Sequence, residues 1–269
     1  KSNMLWVMLL LPVLLLISGI PIFVILAGTS AVVLIFGDIP GAIVHQNMFG
    51  GISIFSLLAV PFFIFAGELM GRGGMSARLI AWALSILGGL RGSLPLTTVG
   101  TSTVFGAISG SSAATVAAVG RLLYPSLRDK GYTERFSSGV VTSSGAIAIV
   151  IPPSIAMILY GVAAEEDIAR LFIAGILPGL FMALLMGIYI YMYARAKGIQ
   201  ESEGFRAQAV VTTTRDGIWA LGSPFIILGG IYSGWFSPTE SGGVACVYAI
   251  FVTRYIYKDI DWHGIWEVT

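Results

Sequence analysis

Two short polar stretches set inside apolar sequence carry whatever chemistry this chain can do. The first is Ser109-Gly110-Ser111-Ser112, at the centre of a run over 104–120 made almost wholly of Gly, Ala, Ser and Thr. The second is Ile151-Pro152-Pro153-Ser154, with Ser143-Ser144-Gly145 about two helical turns before it. Lipid-facing helices are bulky. Small hydroxylated residues at membrane depth instead bring backbones together and turn carbonyls and hydroxyls toward something polar. Two prolines remove two amide donors and push the preceding residue out of helical geometry, so a helix here parts into 136–150 and 155–164. Neutral oxygens at broken helices near the bilayer midplane suit Na⁺, a hard cation. Ser109, Gly110, Ser111, Ser112, Ser144 and Gly145 are therefore the candidate Na⁺ ligands. Each stretch also has a plainer reading. Gly106 and Gly110 fit a small-xxx-small packing seam, and the proline pair fits a structural kink.

Something apolar must surround these stretches, and the composition supplies it. Of 269 residues, 56% are hydrophobic and 11% are charged, and the mean hydropathy is +0.89. A soluble domain carries about 25% charged residues, so this chain lacks the polar surface to cover itself in water. The predicted fold class is an all-α polytopic membrane protein with broken helices and a re-entrant helical hairpin. A net charge of +1 makes no electrostatic case for nucleic acid. The single Cys246 lies in an apolar run, which excludes a disulfide framework and reads as a small buried hydrophobe. His45 and His263 have no partner at metal-ligand spacing. No nucleophile–base set or phosphate-binding loop occurs in a polar setting, so the chain is not expected to be an enzyme.

Polar breaks divide the chain into passes. Residues 5–18 and 21–36 are apolar and form either one kinked helix or two short ones. A glycine-bearing connection over 37–51 leads to a span over 52–70 interrupted at Pro61. In 72–92, Met75, Leu79, Trp82, Ala83 and Ile86 recur at helical spacing, as in a helix along the membrane surface or an arm bracing a mobile part. Residues 168–194 form a full span, 197–215 a polar loop, and 217–236 and 239–257 the last passes. Glu68 beside Arg72 reads as an interface pair, and Glu240 after Ser237-Pro238 as a helix cap. Tyr189, Tyr191, Tyr193, Trp262 and Trp266 read as interface belts.

Loop charges orient these passes. Arg121, Arg128, Lys130 and Arg135 form one basic cluster, Arg195, Lys197, Arg206 and Arg215 another, and Arg254 with Lys258 a third. The positive-inside rule puts all three in the cytoplasm. Arg72, Arg78 and Arg91 belong on the same side, so the segment between Arg91 and Arg121 enters and leaves from the cytoplasm. Its first arm, 94–108, reaches only ~22 Å, short of the ~30 Å hydrocarbon core. A turn at Ser109–Ser112 would then sit within the bilayer.

The ordered series PFFIFAGELMGRGG (61–74), FGAISGSS with its small-residue sequel (105–120), IPPSIAMILYG (151–161), LFIAGILPGL (171–180) and SPTESGGVACVYA (237–249) resembles the large membrane subunit of the tripartite ATP-independent periplasmic (TRAP) transporters. The resemblance covers nearly the whole chain. It implies Na⁺-coupled secondary uptake of acidic solutes, of the C4-dicarboxylate or sialic acid type, across a bacterial inner membrane. It also implies two partners, a small membrane subunit and a periplasmic solute-binding protein. The mechanism implied is an elevator, in which 93–164, with hairpin 93–127 and broken helix 136–164, moves against scaffold helices. The scaffold would be 1–71, with 165–269 as further scaffold or arm helices and 72–92 an amphipathic or arm helix. By position, Ser111, Ser112, Pro152, Pro153 and Ser154 would face the substrate. Thr115 stands where many members carry an acidic residue. Family members are longer and have a second, inverted half, so the chain is expected to be a fragment or split subunit that does not transport alone. The rival expectations are a receptor-independent Na⁺/carboxylate carrier and a non-transporting assembly subunit.

Overall fold

Every regular element among the described residues is helical, the arrangement that satisfies backbone hydrogen bonds without water. The computed structural model describes residues 2–37, 40, 42–199 and 206–268. Two compact units divide the chain, Lys1–Ile54 and Phe55–Thr269.

In the first unit, α1 (Ser2–Ile17) and α2 (Ile22–Phe36) are separate helices packed on each other, which settles the choice between one helix and two. Gly19, at φ 74°, turns the chain out of α1, and the Ile20 N–H closes the helix end on the Leu15 carbonyl at 3.3 Å. The expected connection over 37–51 is mostly helix: α3 spans Ala42–Ile52. Its glycines fall in the last turn, where weak helix propensity matters little. Residues 38, 39 and 41 of that connection, and the side chain of His45, lie outside the described residues.

In the second unit, a 3-10 turn (Phe55–Leu58) runs into α4 (Ala59–Arg72). Pro61 does not interrupt this span. It occupies the first turn, where backbone amides have no acceptor within the helix in any case. Glu68 and Arg72 pair at 2.8 Å on the exposed face at its end, as expected of interface charges. Gly74, at φ 66°, turns the chain into α5 (Met75–Leu87), which buries Met75, Leu79 and Ala83 and leaves Ile86 exposed. Helix α5 is thus amphipathic, and its apolar stripe packs on α6 (Ser93–Ser109) and α11 (Ala207–Tyr232).

A cation fastens the start of α5. The Arg78 guanidinium lies 3.8 Å over the Tyr257 ring and pairs with Asp259, with both ion-pair side chains largely covered. Lysine keeps the charge but loses the planar fork and the stacking. Arg78→Lys is expected to cost roughly 1–2 kcal/mol, read as a lowered thermal-unfolding midpoint in detergent. An unchanged midpoint would show that α5 is held by its apolar face alone.

The centre of the unit is built from α6, α7 (Ser112–Asp129), α8 (Glu134–Val150) and α9 (Ile155–Ala164). Next come α10 (Ile168–Ala196), α11, α12 (Pro238–Phe251), a π-helical turn (Val252–Ile256) and α13 (Trp262–Val268). The polar stretch 197–215 is only partly a loop, because α11 already begins at Ala207. The Thr212 and Thr213 hydroxyls donate to the Gln208 and Ala209 carbonyls, so the polar residues there are satisfied on a helix and do not mark a loop. Residues 200–205 lie outside the described residues. Ser237 and Glu240 form a reciprocal capping box at the start of α12, as the sequence predicts. Tyr193 is less an interface-belt residue than a packing one, since its ring stacks 4.1 Å from that of Phe136.

Among the described residues, two helical stretches are long and apolar enough to cross a membrane, Phe55–Arg72 and Ile168–Ala196. The pair α8 and α9, bent by 42° at its break, makes a third span if taken as one.

Candidate functional site

Helices α6 and α7 form the hairpin, with 17 and 18 residues, or ~26 and ~27 Å, each a little short of a hydrocarbon core. Its tip is determined residue by residue. Gly110 takes φ 60°, left-handed geometry open to glycine, and its N–H closes α6 on the Gly106 carbonyl at 2.8 Å. Ser111 is extended and caps α7, its Oγ accepting from the Ala114 N–H at 3.4 Å. The Thr115 hydroxyl donates to the Ser111 carbonyl at 2.8 Å and lies 3.0 Å from Ser109 Oγ, and both side chains are fully buried.

The break between α8 and α9 falls at Ile151–Ser154, where the prolines withdraw two donors. Ser154 is buried and makes the new helix start. Its hydroxyl donates to the Ile149 carbonyl across the break and accepts from the Met157 N–H. The hairpin tip is seated on this break. The Gly110 carbonyl accepts from the Ile155 N–H at 3.1 Å, and a Cβ added to Gly110 would stand 2.6 Å from the Pro153 carbonyl oxygen. On a second side, a Cβ at Gly145 would meet Ser112 Oγ at 3.3 Å and overlap the Val116 side chain. On a third, a Cβ at Gly67 of α4 would stand 2.8 Å from Ser109 Cα.

The structure thus gathers Ser109, Gly110, Ser111, Ser112, Gly145, Pro153 and Ser154 about one point, with Pro152 in the same break. Ser144 is placed elsewhere. Its hydroxyl lies 3.0 Å from Ser102 Oγ and donates to the Val141 carbonyl, about two turns of α6 from Ser109. Ser102→Ala and Ser144→Ala should each destabilise by about 1 kcal/mol, and the double variant by clearly less than their sum. Additive losses of unfolding free energy would break the assigned pairing.

The packing seam and the polar tip coexist in the same residues. A Cβ on Gly106 would lie 2.7 Å from Ala148 Cα, so the seam joins α6 to α8, while Gly110 makes the bend. Sequence reading missed Ser102 and Gly67 as members of this region, and singled out Thr115 only as a departure from the family pattern. Gly67 and Gly71 are spaced as a small-xxx-small seam, a signal that could have found Gly67. Nothing in the sequence spacing marks Ser102. Among the described residues, no three His, Cys, Asp or Glu side chains cluster at metal-binding distance. The cluster can offer neutral carbonyl and hydroxyl oxygens and the amides at the start of α7 and α9, groups that serve hard cations and carboxylates.

A hairpin seated tip-first on a proline-broken helix, among helices able to span a bilayer, defines a polytopic α-helical membrane protein with an interrupted centre. The chain belongs to the family described as tripartite ATP-independent periplasmic transporter, DctM component, which matches residues 7–269. It is similar to the C4-dicarboxylate TRAP transporter large permease protein DctM of Vibrio cholerae, with 37% identity covering 91% of this chain and 54% of that protein. It is also similar to the ectoine/5-hydroxyectoine TRAP transporter large permease protein UehC of Ruegeria pomeroyi, at 37% identity over 95% of the chain and 60% of the relative. The sialic acid TRAP transporter permease protein SiaT of Haemophilus influenzae is 39% identical over 77% of the chain and 33% of its own length. The chain spans about half the length of the curated relatives it matches.

Proposed function

We propose that this chain provides part of a Na⁺-coupled secondary uptake system for an acidic organic solute at a bacterial inner membrane. The carrying observation is the bond between the Gly110 carbonyl and the Ile155 N–H, which joins the hairpin tip to the helix break. In this reading, oxygens of Ser109–Ser112 and Gly145 hold Na⁺, with Ser144 supporting the same body from two turns away. Ser111, Ser112, Pro152, Pro153 and Ser154 face the solute carboxylate. Residues 93–164 move together as the elevator, 72–92 act as its arm, and helices from 1–71 and 165–269 form the scaffold. Relatives named for C4-dicarboxylate and sialic acid support an acidic solute. A periplasmic solute-binding protein delivers that solute, and a small membrane subunit completes the assembly.

Proteoliposomes holding the full-length protein with its small subunit test this reading. Uptake of labelled succinate or sialic acid is expected only with an inward Na⁺ gradient and added solute-binding protein. Uptake in K⁺ alone would remove the coupling ion, and uptake without the binding protein would leave an ordinary carboxylate carrier. Ectoine uptake in place of either acid would overturn the solute class.

A further inference from the structure

A groove of about 660 Å³, within the range of small-ligand sites, runs between the first half of α8 and the second half of α10. Arg135, Gly139, Leu185, Met186 and Tyr189 are among its lining residues. The Phe136–Tyr193 stack fixes the level of its mouth, because it joins the first turn of α8 to the last turns of α10. Both helix ends adjoin the basic clusters that the positive-inside rule assigns to the cytoplasm. From Arg135 the groove descends along α8 to Ser143, ~12 Å deeper, so its mouth is cationic and its walls below are mostly apolar, with the Ser143 hydroxyl at the far end.

Charge and shape together select the occupant. Arg135 is exposed, and none of the ion pairs among the described residues involves it. Glu134, its neighbour in sequence, does not line the groove. A Cβ added to Gly139 would meet nothing within 4 Å, so the wall is open there. Basic pockets between membrane helices on the cytoplasmic side suit phosphate headgroups, and tyrosine suits the same interfacial level. We propose that this groove holds one anionic phospholipid, its phosphate at Arg135 and an acyl chain along Gly139, Val140, Leu185 and Met186. This site does not depend on which solute the protein carries.

Native mass spectrometry of the delipidated full-length protein, titrated with phosphatidylglycerol, provides the test. One tightly retained phosphatidylglycerol is expected on the unmodified protein. Arg135→Gln should weaken retention about fivefold. Gly139→Leu, whose side chain enters open space, should abolish it while the melting point stays close to that of the unmodified protein. Dioleoylglycerol, which lacks the phosphate, should not be retained, and inorganic phosphate should not displace the lipid. Equal retention by both variants would overturn the proposal. So would inorganic phosphate binding at Arg135 without lipid, or no retention at all because protein from outside this chain fills the groove. Should Gly139→Leu fail to fold, Arg135→Gln decides alone.

Discussion

Gly110→Ala is expected to lower the stability of the second unit by roughly 2–5 kcal/mol and to stop transport in the assembled protein. Two costs add at this position. A left-handed φ of 60° costs an L-residue roughly 1–2 kcal/mol. The new methyl group would also stand 2.6 Å from the Pro153 carbonyl oxygen and 3.3 Å from the Ile155 nitrogen, and neither backbone atom can swing aside like a side chain. Overpacking of this kind costs about 1–3 kcal/mol. Relief requires the tip to lift, which breaks the 3.1 Å bond between the Gly110 carbonyl and the Ile155 N–H. Gly131→Ala separates the two costs, because Gly131 has φ 86° with nothing within 4 Å of the added Cβ. Thermal unfolding should show Gly131→Ala paying the conformational cost alone and Gly110→Ala clearly more. Equal losses would mean that the hairpin tip does not rest on Pro153.

The most legible parts of the fold are those punctuated by residues with one strong local preference. The prolines place the break between Val150 and Ile155, and α8 and α9 end and begin there. Gly110 between serines places the hairpin turn, because glycine alone takes the left-handed step freely while serine caps the next helix. Where a residue's effect depends on position within a helix, sequence reading goes astray. Pro61 looks like an interruption but sits in a first turn that has donors to spare. The polar residues after Ala207 look like a loop but satisfy themselves on the helix that carries them. Contacts between distant segments leave the faintest trace. Composition announces that 104–120 packs closely, but nothing local says that Gly106 meets Ala148, that Ser102 pairs with Ser144, or that Gly67 closes on Ser109. Such pairings depend on how α4, α6 and α8 stack, and one helix's periodicity does not encode its neighbour's register.

The seam between α6 and α8 decides whether the hairpin and the broken helix can act as one body. Gly106→Ala is expected to destabilise by about 1–3 kcal/mol, although alanine is the better helix former by roughly 1 kcal/mol. The sign is set by Ala148, whose Cα and Cβ would both lie 2.7 Å from the added methyl, so one helix has to move bodily. Gly229→Ala in α11 supplies the opposite case, since its Cβ would meet nothing within 4 Å, and that change should be neutral or stabilising. Adding Ala148→Gly to Gly106→Ala should recover part of the loss, because one of the two crowding atoms is then gone. Chemical denaturation of the unmodified protein, Gly106→Ala, Ala148→Gly and the double variant in detergent reads the cycle. Independent, additive effects would detach α6 from α8 at this level and leave the Ser102–Ser144 pair as the polar tie between those two helices, with the Gly110–Ile155 bond tying the tip to α9. Strong coupling would instead mean that any displacement of the hairpin drags α8 with it, and with α8 the proline break on which the tip rests.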